Sequence, residues 1–396
     1  MSRPLDGVTV ADFSQMQQGG WATMKLGDMG ADVIKIEPPH GDLVRNYAAH
    51  GELLEGTSTA YLAMNRNKRS VCLDLKTDDG KEIARDIVAD ADVLFENFRP
   101  GVMDRFGLSH EEVREFNPEI IYVSASGYGS TGPYSDRPGQ DLLAQATSGI
   151  ASITGRKDDP PTPAGTFVCD AHSATTMALH TVMALFQREQ TGEGQRIEGD
   201  LLSAGVDLLT QEVTTAMNLD IDVERSEAGV GHVASGAPYG IYETEDGHIV
   251  ISFSNLPELA EEFDLDPLCD YEDPVELYEN RDTVFRQVQD AIGDEPTDEL
   301  IETLSEAGLW VSRVNDPEEA GNDPQVRHND MIVELEHNDI GSFEVTGVPV
   351  RMSNVDVEFD APPTLGEHTD EVLAEFGYGE DERSELTERD VTQPSD

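Results

Sequence analysis

The sequence predicts an α/β protein: a large Rossmann-like unit on a mainly parallel sheet, plus a smaller α+β unit. Three observations carry this. Short apolar runs alternate with helical stretches of roughly 10–15 residues in the first half, the pattern of βαβ units and parallel strands. A polar, glycine-containing stretch, LDIDVERSEAGVGHVASG, interrupts that pattern near residue 220. Beyond it, YGIYETEDGHIVISF alternates around Asp246-Gly247, a hairpin signal.

The elements follow in order. GVTVADF is the first strand, a helix runs from about Gly20 to Met29, and ADVIKIE is the second strand, ending in Glu37. RSVCLDL is the third strand, and Ile83, Ile87 and Val88 give 78–89 helical spacing. ADVLFEN and EIIYVSAS are further strands, and two long helices lie near Ala171–Glu189 and Leu201–Met217. After the hairpin come helices near 281–293 and 296–306, a strand at GLWVSRV, and strands at MIVELEH and GSFEVTGVPV. The expected division is a large domain over 1–222, a small domain over 223–330, and a segment over 331–396 returning to the large domain, with a mobile acidic tail from about 380.

Composition narrows the partners. The chain has 80 acidic and 26 basic residues, a formal net charge of -54. That charge excludes general nucleic-acid binding, which needs a basic face. Hydrophobic residues make up 38%, enough to exclude global disorder. No apolar run approaches the roughly 18 residues of a membrane span, and the N-terminus lacks a signal-peptide pattern. Cys72, Cys169 and Cys269 are odd in number and far apart, so neither a disulfide framework nor a paired metal-ligand motif is expected. Acids spread along the whole chain, with 6 lysines against 20 arginines, point to a high-salt cytoplasm, where screening weakens self-repulsion.

One stretch departs from this background. Residues 65–105 hold 8 of the 26 basic residues. An even spread would put about 2.7 there. The cluster implies an anionic ligand held by short contacts, for which Arg forks suit phosphate; the competing reading is pairing with local acids. Familiar motifs are missing. The turn after the first strand, SQMQQGGWAT, has no GxGxxG spacing, which excludes an NAD fingerprint. There is no GxxxxGK[ST], GxSxG or HExxH.

Several segments, in order, resemble class III CoA-transferases, the CaiB/BaiF family. They are PLDGVTVADFS, LGDMGADVIKIEPPHGD, MNRNKRSVCLDLKT, ENFRPGVMDRFGL, SGYGSTGPYSDRPGQDLLAQATSGI, REQTGEGQRIEGDLL, APYGIYETEDGHIVIS, NDPQVRHNDMIVE and PTLGEHTDEVL. The resemblance runs from about Leu5 to Phe376. It implies a CoA thioester as substrate, with no tightly bound cofactor and no metal, and an interlocked-ring homodimer.

The resemblance also implies site residues. Asp170, in TFVCDAHSATTMALHTVMALFQRE, matches the family nucleophile, with Cys169 where a glycine is usual. A carboxylate of ordinary pKa, about 3.9, is already ionised at neutral pH and needs no separate base; the competing role for Asp170 is a helix N-cap. Gln17 matches a glutamine beside the reacting carboxyls and is suited to an oxyanion. Lys76, Asn97, Phe98, Arg99 and Arg105 match CoA-binding positions, and Arg137, Gln140 and Asp141 lie in the segment that approaches pantetheine. Pro38 replaces an arginine of several relatives, so one phosphate or base contact is either missing or supplied by Arg69.

The implied reaction is CoA transfer from succinyl-CoA to mesaconate or a related dicarboxylate, with malate or citramalate as alternatives. Racemisation on the same fold uses a His in a GHD segment; here that segment is Gly139-Gln140-Asp141, and an amide is no proton acceptor. A non-catalytic CoA-thioester binder would not need both Asp170 and Gln17. The segment SFSNLPELAEEF lacks the glycine run of relatives that close over oxalate, which argues against formyl-CoA:oxalate chemistry.

Overall fold

The structure, a computed structural model, describes residues 3–252, 256–263, 265, 271 and 273–393. The chain divides into two compact units, one of Met1–Ala144, Phe167–Gly205 and Pro324–Asp396, the other of Gln145–Thr166 and Val206–Asp323. This grouping assigns 145–166 and 206–222 to the smaller unit and returns to the larger one at Pro324, where the sequence suggests boundaries after 222 and after 330.

The larger unit is built on six parallel strands: β1 (Thr9–Asp12), β2 (Asp32–Glu37), β3 (Lys68–Cys72), β4 (Val93–Glu96), β5 (Ile121–Ser126) and β6 (Gln195–Asp200). Their order is β3-β2-β1-β4-β5-β6. Successive residues of a strand point to opposite faces, so neighbours divide between two cores. Ala11, Ile34, Leu94 and Tyr122 pack with Ile83 and Ile87 of the 78–90 helix. Val10, Val33, Phe95 and Val123 pack with Ala22 and Leu26 of the 16–28 helix and with Ala174 and Met177 of the 168–191 helix. Burial on both faces explains why these strands read as continuous apolar runs.

The strand order creates a topological switch point. From β1 the chain proceeds outward through β2 and β3, then crosses back to β4 on the other side. The loops leaving the carboxyl ends of β1 and β4 diverge there and open the crevice in which such sheets bind ligands. A glycine shapes the first loop. A Cβ on Gly19 would lie 2.1 Å from the Ser14 Cβ, so no larger residue lets the helix begin this close to the turn.

The smaller unit carries β7 (Gly240–Glu243), β8 (His248–Ile251) and β9 (Val311–Arg313), all antiparallel, around the Asp246-Gly247 turn. Tyr242 stacks on Phe285 at 4.3 Å in its core. A two-stranded pair, β10 (Ile332–His337) and β11 (Gly341–Thr346), belongs to the larger unit and packs on Leu62. No helix among the described residues is long and apolar enough to cross a membrane.

Four expectations need correction. The first helix spans Met16–Asp28, because the glycine pair read as a turn lies inside it, buried. The second long helix is two, Leu201–Leu208 and Thr210–Asn218, where the Leu209 N–H bonds back three residues to Val206 O at 3.0 Å. Strand β6, QRIEGD, was missed because as a half-exposed edge strand it carries one apolar residue. The tail is not free: 380–388 is helical, and Leu386 and Val391 are buried in the core with Ile83 and Ile87. Asp74 N donates to Val391 O at 2.9 Å, and Arg389 pairs with Asp79 at 2.7 Å. Cys269 and residues 253–255 of the SFSNLPELAEEF stretch lie outside the described residues.

Candidate active site

The crevice at the switch point is a cleft of about 750 Å³. Gln17, Asn97, Phe98, Arg99, Arg137, Gln140, Asp141 and Asp170 all line it. These residues come from the start of the 16–28 helix after β1, the loop after β4, the 127–140 loop after β5 and the starts of the 141–148 and 168–191 helices. Residues from Gln17 to Asp170 are thus brought to one carboxyl edge.

Asp170 is the third residue of its helix, after the cap position at Phe167, and is not an N-cap. Asp141 does that work from a distance: its Oδ2 accepts from Cys169 N at 2.8 Å and from Asp170 N at 3.0 Å. A carboxylate suits these unsatisfied N–H groups and the positive end of the helix dipole. The Asp170 carboxyl is thereby left in the cleft without a protein hydrogen bond among the described residues. Burial, and secondarily the nearby charge of Asp141, push its pKa up to about 7. The expectation of an ordinary carboxylate, ionised well below neutrality, is therefore corrected. Cys169 is fully buried, does not line the cleft, and its thiol is pushed up to about 12, chiefly by burial.

Gln17 is 5% exposed and its Oε1 has no hydrogen-bond partner. The backbone that carries it is held tightly. Asn97 Oδ1 accepts from Gln15 N at 2.8 Å and Asn97 Nδ2 donates to Gln15 O at 2.7 Å. The Asn97 side chain thus ties the loops after β1 and β4 together while still lining the cleft. Phe98 packs edge-on against Phe106, ring centres 6.2 Å apart, and its N–H donates to Glu96 Oε2 at 2.9 Å.

The cations of the cleft are Arg99 and Arg137. Neither has a carboxylate partner among the described residues. Arg137 lies 3.8 Å over the Tyr134 ring, a stacking that preorganises its planar fork. The loop that carries it closes at its base on two glycines. A Cβ on Gly127 would lie 2.3 Å from the Gly139 Cα, so both positions require glycine.

Lys76 and Arg105 do not line this cleft. Both are exposed, on segments that leave the carboxyl ends of β3 and β4. The basic stretch divides between the two readings. Arg66 is buried against Asp28 at 2.7 Å, and Lys68 against Asp12 at 3.1 Å. Arg69 pairs with Asp32, Glu371 and Glu375. It stands at the amino end of β3, the edge opposite the cleft, so it cannot replace the arginine absent at Pro38. Arg85 sits 3.9 Å over Phe116.

The sequence reading missed the ionic layer beneath the turn after β1. Lys35 Nζ lies 2.8 Å from Asp42 Oδ2, both side chains essentially inaccessible. Asp12, Glu37 and Lys68 are buried beside them. Partner charges hold Asp12 low and Glu37 at about 2, against the opposing effect of burial; Lys68 falls to about 8, burial outweighing Asp12. The signal was a lysine in the middle of the apolar strand DVIKIE, since an ionic side chain there must be paired. Among the described residues no group of His, Cys, Asp and Glu is placed to hold a metal.

Comparison with known proteins shows the family. The family described as CoA-transferase family III matches residues 5–369. The human protein "Succinyl-CoA:glutarate CoA-transferase" is 36% identical over 94% of this chain and 86% of its own length. "Succinyl-CoA:mesaconate CoA-transferase" of Haloarcula hispanica is 33% identical over 95% of this chain and 97% of its own. "Formyl-CoA:oxalate CoA-transferase" of Rhodopseudomonas palustris is 30% identical over 100% and 98%. A crystal structure of a CaiB/BaiF family protein from Brucella suis superposes with a TM-score of 0.84 at 30% identity, covering 95% of this chain and 100% of that one. Matched almost end to end, the chain belongs to CoA-transferase family III, and the protein is a class III CoA-transferase.

Proposed function

We propose that the chain moves CoA from succinyl-CoA to a second dicarboxylic acid, mesaconate or a close relative of it, with Asp170 as the nucleophile. The observation that carries this reading is the division of labour between two aspartates. Asp141 satisfies the helix N-terminus, which leaves Asp170 unpartnered in the cleft. In the first step the Asp170 carboxylate attacks the thioester carbonyl, a C–O bond forms, the C–S bond breaks, and a mixed anhydride and CoA thiolate result. The thiolate attacks the aspartyl carbonyl of the anhydride, releasing succinate and leaving an aspartyl-CoA thioester. The acceptor carboxylate attacks that thioester, giving a new anhydride and CoA thiolate again. The thiolate then attacks the acceptor's acyl carbonyl, which forms the product thioester and restores Asp170. The thioester bond energy is kept throughout. Each tetrahedral intermediate develops an oxyanion, to which the Gln17 amide donates.

The two unpaired arginines support anionic substrates in a chain that otherwise repels them. All three named relatives take dicarboxylic acceptors by their printed names, which supports the substrate class without choosing among its members. Racemisation finds no histidine among the residues lining the cleft. A homodimer is supported by the 168–191 helix, where Leu179, Val182, Met183 and Phe186 are exposed at i, i+3, i+4 and i+7, an apolar stripe of the kind a second copy covers. The dispersed acidic charge supports a high-salt cytoplasm as the working environment.

The test offers succinyl-CoA with mesaconate, glutarate, oxalate, malate or citramalate in molar KCl and follows new CoA thioesters by mass. The reading expects mesaconyl-CoA to form fastest. Formation of none of the dicarboxyl-CoA products would overturn it.

A further inference from the structure

Gln17 presents a positioning problem. Among the described residues its amide Oε1 has no hydrogen-bond partner, and no other hydrogen bond of that side chain fixes where it points. Its placement rests on the backbone of the turn between β1 and the 16–28 helix. That backbone is in an uncommon state: Met16 has φ +60, a region that an ordinary L-residue occupies only when its surroundings impose it.

Three consecutive residues of the turn are held from three different elements. Lys35 Nζ, from β2, donates to Ser14 O at 2.9 Å. Asn97, at the end of β4, grips both Gln15 N and Gln15 O. Asp42 Oδ1 accepts from Met16 N at 3.0 Å, while its Oδ2 faces Lys35 Nζ at 2.8 Å. Lys35 and Asp42 thus form one buried ion pair whose two ends grip the backbone on either side of Gln15. Asp12 and Glu37 also face Lys35, and Asp42 additionally accepts from Val44 N.

A buried ion pair is an inefficient way to add stability, because desolvating each ion costs several kcal/mol and an apolar pair of equal volume often does as well. What the pair supplies here is geometry. We infer that Lys35 and Asp42 are positioning residues for Gln17: they hold the strained turn so that the amide meets the oxyanion formed at the reacting carbonyl. This rests on the role proposed for Gln17 above.

The test is a coupling cycle between Lys35→Met/Asp42→Asn and Gln17→Ala, read by steady-state exchange in molar KCl. The double substitution removes both buried charges together, and Asn keeps an acceptor for Met16 N, so the fold is expected to survive; circular dichroism and the melting temperature check this. The inference expects kcat to fall by about 10–100-fold, the order of loss for a misplaced catalytic group. It expects the KM for succinyl-CoA to stay within about threefold, because the arginines are untouched. Adding Gln17→Ala to the double substitution should cost no further activity, since both act through one amide. A folded variant with parental kcat, or losses that multiply with Gln17→Ala, overturns the inference. If the double variant does not fold, Asp42→Asn alone, which removes only the charge facing Lys35, is scored by the same cycle. Gln17→Ala at the parental rate would instead overturn the role of Gln17 itself, an outcome distinct from failure of the pair.

Discussion

Replacing Asp170 by Asn should make the folded protein more stable at pH 8 and leave it unchanged near pH 4. The Asp170 carboxyl moves from 3.8 to about 7 on folding, mainly because the cleft strips water from its charged form. The folded state therefore holds the proton more tightly than the unfolded chain does. The stability this group contributes is complete below pH 3.8 and is lost as pH rises toward 7. At 1.36 kcal/mol per unit, the gap sets a ceiling of about 4 kcal/mol. Asp170 is partly open to the cleft, and solvent screening should leave roughly half of this, about 2 kcal/mol. Asn has the shape of the neutral acid and no charge to desolvate. Urea unfolding of both proteins at constant high KCl, from pH 4 to pH 8, reads the difference directly. Curves that coincide at pH 4 and separate by about 2 kcal/mol at pH 8 fit this account. Curves that stay parallel over the whole range, or a less stable variant at pH 8, would refute the claim that Asp170 is held in a desolvated site.

Other consequences are equally concrete. Asp141→Asn keeps an acceptor for Cys169 N and Asp170 N but removes the charge beside Asp170; the acid limb of kcat/KM should move down from near pH 7 by roughly 1 unit, burial still keeping it above the ordinary value. Gly127→Ala should prise open the base of the loop carrying Arg137, raising the KM for succinyl-CoA about tenfold while costing about 1–3 kcal/mol of stability; initial rates and urea unfolding test both. Activity, and with it the dimer proposed above, should be lost below about 0.5 M salt, as the Debye length grows and acidic self-repulsion with it; full activity in dilute buffer would argue against a high-salt habitat.

The central sheet was legible because its strands are buried on both faces, which forces apolar runs such as VLFE and IYVSAS. Strand β6 was not, because an edge strand needs only one buried residue, Ile197, among polar neighbours. The last helix was hidden similarly, its two anchors Leu386 and Val391 outnumbered by acids that face water. Family resemblance singled out Asp170, which the fold places in the cleft, but not its altered acidity: burial and the position of Asp141 are properties of the folded cleft. The basic stretch misled in part because counting charges cannot separate Arg66 and Lys68, which neutralise buried acids, from Arg99, which faces the cleft. The pairing of Lys35 with Asp42 depends on a turn whose conformation no spacing rule encodes.

The most direct test of the account is to trap the covalent enzyme. Incubation with succinyl-CoA, followed by hydroxylamine or borohydride and peptide mass spectrometry, intercepts an aspartyl anhydride or thioester at its electrophilic carbonyl. The account predicts modification of the peptide containing Asp170, dependent on succinyl-CoA and absent from a folded Asp170→Ala variant that no longer exchanges CoA. Modification at a different carboxylate, or near-normal exchange by Asp170→Ala, would contradict it.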